Sequence, residues 1–91
     1  MKIDSRPTRR ENVLTQETSD ALVLLDPNGG AYFSLNEVGS RVWSLCDGTR
    51  TVADVVGVLA DEFEAPTETI RDDVLELLEE LASERLVTEA P

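Results

Sequence analysis

Gly30-Ala31-Tyr32-Phe33-Ser34-Leu35-Asn36-Glu37-Val38-Gly39 is the stretch on which the reading of this chain turns. Ala31–Leu35 has the aromatic content and rough alternation of a strand. Asn36 follows at once, with a side-chain oxygen for the unpaired N–H groups of a helix that begins at Glu37. A strand running directly into a helix marks a seam, with a sheet before it and helices after it.

Upstream, Val13-Leu14-Thr15-Gln16 is a short strand candidate and Ala21-Leu22-Val23-Leu24-Leu25 a continuous apolar strand. Asp26-Pro27-Asn28-Gly29-Gly30 between them and the seam has the composition of a hairpin loop, since proline presets one turn dihedral and Asn or Gly tolerates positive φ. Short connections between successive strands imply an antiparallel meander. In that order the 31–35 strand is an edge, with free backbone groups that can pair with another chain. Met1 to Asn12 is polar, interrupted by Pro7 and without a period, and is expected to be a basic flexible arm, mobile or lying along the surface.

Downstream, the spacing predicts three helices. The first runs from Glu37 to about Cys46 and stops at Asp47-Gly48. The second opens on Thr51, with Asp54 in the reciprocal capping position. Val52, Val55, Val56, Leu59 and Phe63 fall at i, i+3, i+4, i+7 and i+11 along it. Ala65-Pro66 breaks the chain, and Thr67 is expected to cap a third helix reaching about Arg85. The fold class expected is therefore α+β, a three-stranded antiparallel sheet followed by three helices, winged helix-turn-helix-like. One domain over residues 13–88 accounts for it.

The third helix carries more apolar surface than it needs. At 100° per residue, Ile70, Val74, Leu77 and Leu81 form a narrow stripe assigned to the core. Leu75, Leu78 and Ala82 widen the arc on one side, with Arg71 among them, to about half the circumference where about a third suffices. The excess is either a second contact inside a small domain or a surface kept for a partner. The remaining side holds Asp72, Asp73, Glu76, Glu79, Glu80 and Glu84.

Composition removes several functions. The chain has 91 residues, no histidine, one cysteine and a formal charge of −11. Lys2, Arg6, Arg9 and Arg10 against Asp4 and Glu11 give the first twelve residues +2, which leaves −13 on the rest. At this size folding buries roughly 60–65% of the chain's surface, so a deep catalytic cleft is costly. Without histidine the commonest general base, the Ser/His and Cys/His pairings and most zinc sites are gone. The carboxylates sit on solvated helix faces rather than as pairs in apolar settings. Cys46 falls on the inner side of its helix with no adjacent base and reads as a small core residue. Gly29-Gly30 lacks the spacing and lysine of a phosphate loop. No catalytic residue, metal or cofactor is expected. A single cysteine, no secretory signal and no apolar run near the ~20 residues of a membrane span point to a cytoplasmic protein.

Two binding classes remain. A winged helix would send its third helix into the DNA major groove, but that helix carries Glu68, Asp72, Asp73, Glu76, Glu79, Glu80 and Glu84 against Arg71 and Arg85. Phosphate neutralisation dominates DNA affinity, so this surface has the wrong sign. Peptide capture fits better. An extended peptide adding to the 31–35 edge gains main-chain hydrogen bonds, and a lip of Leu75, Leu78 and Ala82 would supply side-chain contacts. The acidic flank favours a peptide with some Lys or Arg. One of Tyr32 and Phe33 must face the core, because alternate strand residues point to opposite faces.

The run Leu24 to Gly39, Val42-Trp43-Ser44-Leu45 with Asp47-Gly48-Thr49-Arg50-Thr51-Val52, and Asp72-Asp73-Val74 leading to Leu86-Val87 resemble the PqqD-like family. The likeness covers about residues 13 to 88. It implies a winged-helix-like fold of three strands and three helices that serves as the leader-recognition element of ribosomally made, post-translationally modified peptides. The family's members are not enzymes. By resemblance, the precursor's leader adds antiparallel to the third strand and packs on the third helix. The peptide-binding set this implies is Ala31, Tyr32, Phe33, Ser34 and Leu35 with Arg71, Leu75, Leu78, Glu79 and Ala82. As a free-standing chain it is most similar to the recognition proteins of lasso-peptide pathways, which serve a transglutaminase-like cysteine leader peptidase upstream of an asparagine-synthetase-like cyclase. The alternative within the family is a PqqD-type peptide chaperone for a radical SAM enzyme. A winged-helix DNA-binding regulator is the alternative from another class.

Overall fold

Turn chemistry sets the sheet. A computed structural model describes residues 1–30 and 32–91; Ala31 lies outside the described residues. Strands β2 (Leu14–Glu17), β3 (Leu22–Leu25) and β4 (Tyr32–Leu35) form an antiparallel meander in the order β2-β3-β4. Thr18 closes the first hairpin, its hydroxyl accepting the Ala21 amide at 3.0 Å. In the second, the Asp26 carboxylate accepts the Asn28 amide at 3.0 Å and the Asp26 carbonyl accepts the Gly30 amide at 2.8 Å. Gly30 takes φ +71, a conformation an L side chain would strain. The register opposes Leu22 to Leu35 and Leu24 to Phe33.

Helices α1 (Glu37–Leu45), α2 (Val52–Phe63) and α3 (Thr67–Ser83) follow. Asn36 caps α1, its side-chain oxygen accepting the Gly39 amide at 2.8 Å. Thr51 and Asp54 form the full reciprocal capping box on α2. The N-cap of α3 is Pro66 rather than Thr67, with no side-chain hydrogen bond, and Thr67 is already helical. At its far end Arg85 adopts φ +59 while the Leu86 and Arg85 amides reach the Leu81 and Ala82 carbonyls. This is a Schellman cap, with Leu81 and Leu86 as its buried apolar pair. It turns the chain into a last strand, β5 (Val87–Ala90).

The amino-terminal segment is the main departure from expectation. Residues 6–9, expected within a flexible arm, are strand β1 (Arg6–Arg9), antiparallel to β5 with Arg6 opposite Ala90 and Arg9 opposite Val87. Pro7 is fully buried, and its carbonyl accepts the Gly48 amide. The Ser5 and Ile3 carbonyls accept the amides of Val52 and Ala53, both at 2.9 Å, and so satisfy two open donors at the start of α2. The Met1 ammonium pairs with Glu79 of α3, and the Ser5 hydroxyl donates to Glu89. A second, two-stranded sheet thus ties both ends of the chain to the helices.

The core lies between the β2-β3-β4 sheet and the helices: Leu24, Leu35, Val42, Leu59, Val74, Leu78, Leu81 and Leu86 are among the buried residues. The helices that the periodicity placed on it are there, with one rotation. On α3 the buried residues are Ile70, Val74, Leu78 and Leu81; Leu77, assigned to the core from sequence, is only half-buried.

A groove between the free edge of β4 and helix α3

β4 has β3 on one side and no strand on the other among the described residues. Its side chains alternate. Leu35 is buried and Phe33 half-buried on the inner face, while Ser34 and Tyr32 point outward, Tyr32 with 67% of its surface exposed. Phe33, not Tyr32, is therefore the aromatic turned toward the core, opposite the fully buried Leu24.

Beside this edge runs a groove of about 320 Å³. Phe33, Ser34, Leu35 and Asn36 form its strand side, Val38, Gly39 and Val42 of α1 its floor, and Ile70, Asp73, Val74 and Leu77 of α3 its far wall. Gly39 is buried, and a Cβ there would stand 3.2 Å from the Leu35 side chain. The absence of that methyl lets α1 sit tightly against the strand, although glycine within a helix costs about 1 kcal/mol relative to alanine. Larger depressions exist elsewhere, but they are less apolar and more open to solvent. One lies between β2 and α1 around Arg9, Thr15 and Trp43, and another around Met1, Ser5 and Glu89.

Of the residues singled out from sequence, Phe33, Ser34 and Leu35 line this groove, and Tyr32 lies on the same edge strand facing outward. Ala31 is outside the described residues. The helix residues do not join them. Leu78 has no exposed surface and cannot line a lip; it is core. Leu75 is half-buried against the core cluster on the flank away from the groove. Glu79 binds the Met1 ammonium, and Ala82 borders a separate depression with Met1, Arg85 and Val87. Arg71 is exposed and lies 3.5 Å from Asp72. The wall facing β4 is instead Ile70, Asp73, Val74 and Leu77, a helical stripe at i, i+3, i+4 and i+7. The signal that could have found it is that spacing itself, with one carboxylate set into an otherwise apolar row.

The thiol of Cys46 is buried among apolar groups, which pushes its pKa up to about 12, and it donates to the Val42 carbonyl at 3.1 Å. It is chemically quiet at neutral pH. Among the described residues no helix is long and apolar enough to cross a membrane.

Comparison with known proteins converges on one family. The model described as "Coenzyme PQQ synthesis protein D (PqqD)" matches residues 21–87. A curated "PqqA binding protein" of Bradyrhizobium diazoefficiens is 36% identical over 88 residues, covering 94% of this chain and 84% of the relative. One from Xanthomonas oryzae pv. oryzae is 38% identical over 86 residues, covering 92% and 91%. Among solved structures, "TbiB1 in Complex with the TbiA(beta) Leader Peptide" superposes with a TM-score of 0.77 at 30% identity, over 88% of this chain and 93% of that one. "Lasso peptide synthetase B1 complexed with the leader peptide" gives 0.78 at 23% identity, over 91% and 98%, a likeness of fold.

Proposed function

Because this chain belongs to the PqqD family, we propose that it is a non-catalytic recognition protein for the leader segment of a ribosomally made precursor peptide. The leader adds as an antiparallel strand along β4, its inward side chains entering the groove walled by α3, and is thereby presented to a maturation enzyme. The observation that carries this reading is the coincidence of two features at one place: a strand edge without a partner among the described residues, and an apolar groove directly beside it. An edge offers main-chain hydrogen bonds that any sequence can make, and a groove adds side-chain selection. The solved relative at 30% identity is a complex with a leader peptide, and the curated relatives are named for binding PqqA, which supports the same ligand class.

The enzyme served is, on this reading, the transglutaminase-like cysteine leader peptidase of a lasso-peptide pathway, supported by the likeness to TbiB1. The curated relatives named for PqqA favour the second reading, presentation to a radical SAM enzyme. A DNA-binding role has the acidic face of α3 against it.

The test is an NMR titration of the ¹⁵N-labelled protein with the leaders of small precursors, each assayed alone and then with candidate leader peptidases and radical SAM enzymes. Shifts confined to residues 32–35 and to Ile70, Asp73, Val74 and Leu77 support edge capture. Shifts centred on Leu75, Glu79 and Ala82 would place the ligand on the opposite flank and refute it. Acceleration of leader cleavage by the protein identifies the peptidase as its partner.

A further inference from the structure

Among the described residues that line the groove, one is charged. Asp73 is exposed and stands in the α3 wall between Ile70 and Leu77. Among the described residues no cation pairs with it: Arg71 lies against Asp72, and Arg41 and Arg50 are engaged by Glu62 and Asp47. The wall therefore reads apolar, acidic, apolar along the helix axis. At a rise of 1.5 Å per residue, Ile70 and Leu77 are separated by about 10 Å along α3. A strand covers about 13 Å in four residues, and every second side chain faces the same way. A strand lying along this wall thus meets it with three inward side chains, at positions i, i+2 and i+4.

We propose that Asp73 selects leaders with a Lys or Arg at the middle inward position, flanked two residues away on each side by large apolar side chains that pack at Ile70 and at Leu77. The proposal rests on the edge-capture reading and adds to it the chemistry of the ligand. A ligand carboxylate placed there is repelled, and an apolar residue leaves the Asp73 charge uncompensated. A cation resolves both. The field of the whole acidic body would draw a basic peptide toward the protein from any direction, but only Asp73 ties the charge to one register.

Three synthetic peptides test this, acetyl-Thr-Leu-Thr-Lys-Thr-Leu-Thr-amide and the same sequence with Gln or Glu in place of Lys. Each is titrated into the ¹⁵N-labelled full chain, its Asp73→Asn variant and, as a control of equal charge, its Asp72→Asn variant. The expected result is tighter binding of the Lys peptide than the Glu peptide by about three- to tenfold at about 20 mM salt, shrinking at about 500 mM. Asp73→Asn removes most of that preference and Asp72→Asn keeps it. Equal loss in both variants would assign the preference to net charge and overturn the role of Asp73. Equal affinity for all three peptides, with shifts still on β4, would also overturn it and leave edge capture standing. No β4 shifts with any peptide at millimolar concentration would overturn edge capture, and the role of Asp73 with it.

Discussion

Leu77 and Leu78 are adjacent on α3 and face different surroundings: Leu78 is fully buried in the core, and Leu77 lines the groove opposite β4. One residue of helix rotates a side chain by 100°, enough to carry it from the core to the wall of the groove. A glutamate at position 78 would be a buried charge without a partner, so Leu78→Glu is expected to unfold the protein, and Leu78→Ala to cost about 2–5 kcal/mol in urea denaturation. Leu77→Glu is expected to keep the native circular dichroism spectrum with only a modest fall in midpoint, since Leu77 is half-buried, while weakening leader binding roughly 5- to 150-fold, about 1–3 kcal/mol. The reverse pattern would show that α3 is rotated the other way.

In an antiparallel pair, alternate residues exchange backbone hydrogen bonds with their partner, and those between them turn their amides to the other side. Within β4 either Tyr32 and Ser34 or Phe33 and Leu35 should then exchange hydrogen rapidly in the free protein. Bound leader should slow that pair and leave the other nearly as it was. Uniform protection of all four amides would indicate global stabilisation rather than strand addition.

Removing residues 1–9 should destabilise the domain, not merely trim it. The deletion exposes the inner edge of β5, empties the site of the buried Pro7 and leaves the Val52 and Ala53 amides without the Ser5 and Ile3 carbonyls. A loss of about 2–4 kcal/mol is expected, seen as a fall in Tm on the order of 10–25 °C. An unchanged Tm would mean that the β1–β5 pairing contributes nothing to the folded state.

Acid should weaken the fold through specific carboxylates. The hydroxyl and amide of Thr49 both donate to Asp47, at 2.7 and 2.9 Å, and hold its pKa down at about 2 against an ordinary 3.8. Asp54, which accepts the Thr51 amide, and Glu62, hydrogen-bonded by Arg41, are shifted in the same direction. A carboxylate whose pKa falls on folding stabilises the native state above its unfolded value, and that contribution disappears as the pH drops through the folded one. Tm is therefore expected to decline from about pH 4 toward pH 2, and less steeply in Asp47→Asn. An identical slope in the variant would remove Asp47 from the acid response.

Much of the fold is written locally. Asn36 before Glu37, and Thr51 with Asp54, announce their helix starts because capping uses side chains within three residues of the amides they serve. The edge position of β4 follows from short hairpins, which leave a meander no other order. The strand at Arg6–Arg9 is different. Its four residues, Arg-Pro-Thr-Arg, carry no alternation, and its partner lies about eighty positions away, so nothing nearby signals the pairing.

The helices, the central meander, the edge position of β4 and the acidity of α3 are legible in the chain, because periodicity, capping and turn chemistry act over a few residues. The rotation of α3 about its own axis is set by long-range packing. Ile70, Val74, Leu75, Leu77, Leu78, Leu81 and Ala82 span so wide an arc that helical spacing permits several core faces. The choice belongs to what packs against the helix, α2 and the β5 strand that follows the Schellman cap among them. That packing buries Leu78 and turns Leu77 and Asp73 toward β4. The groove beside β4 exists only through this contact between distant segments, for which a local pattern carries no physical signal.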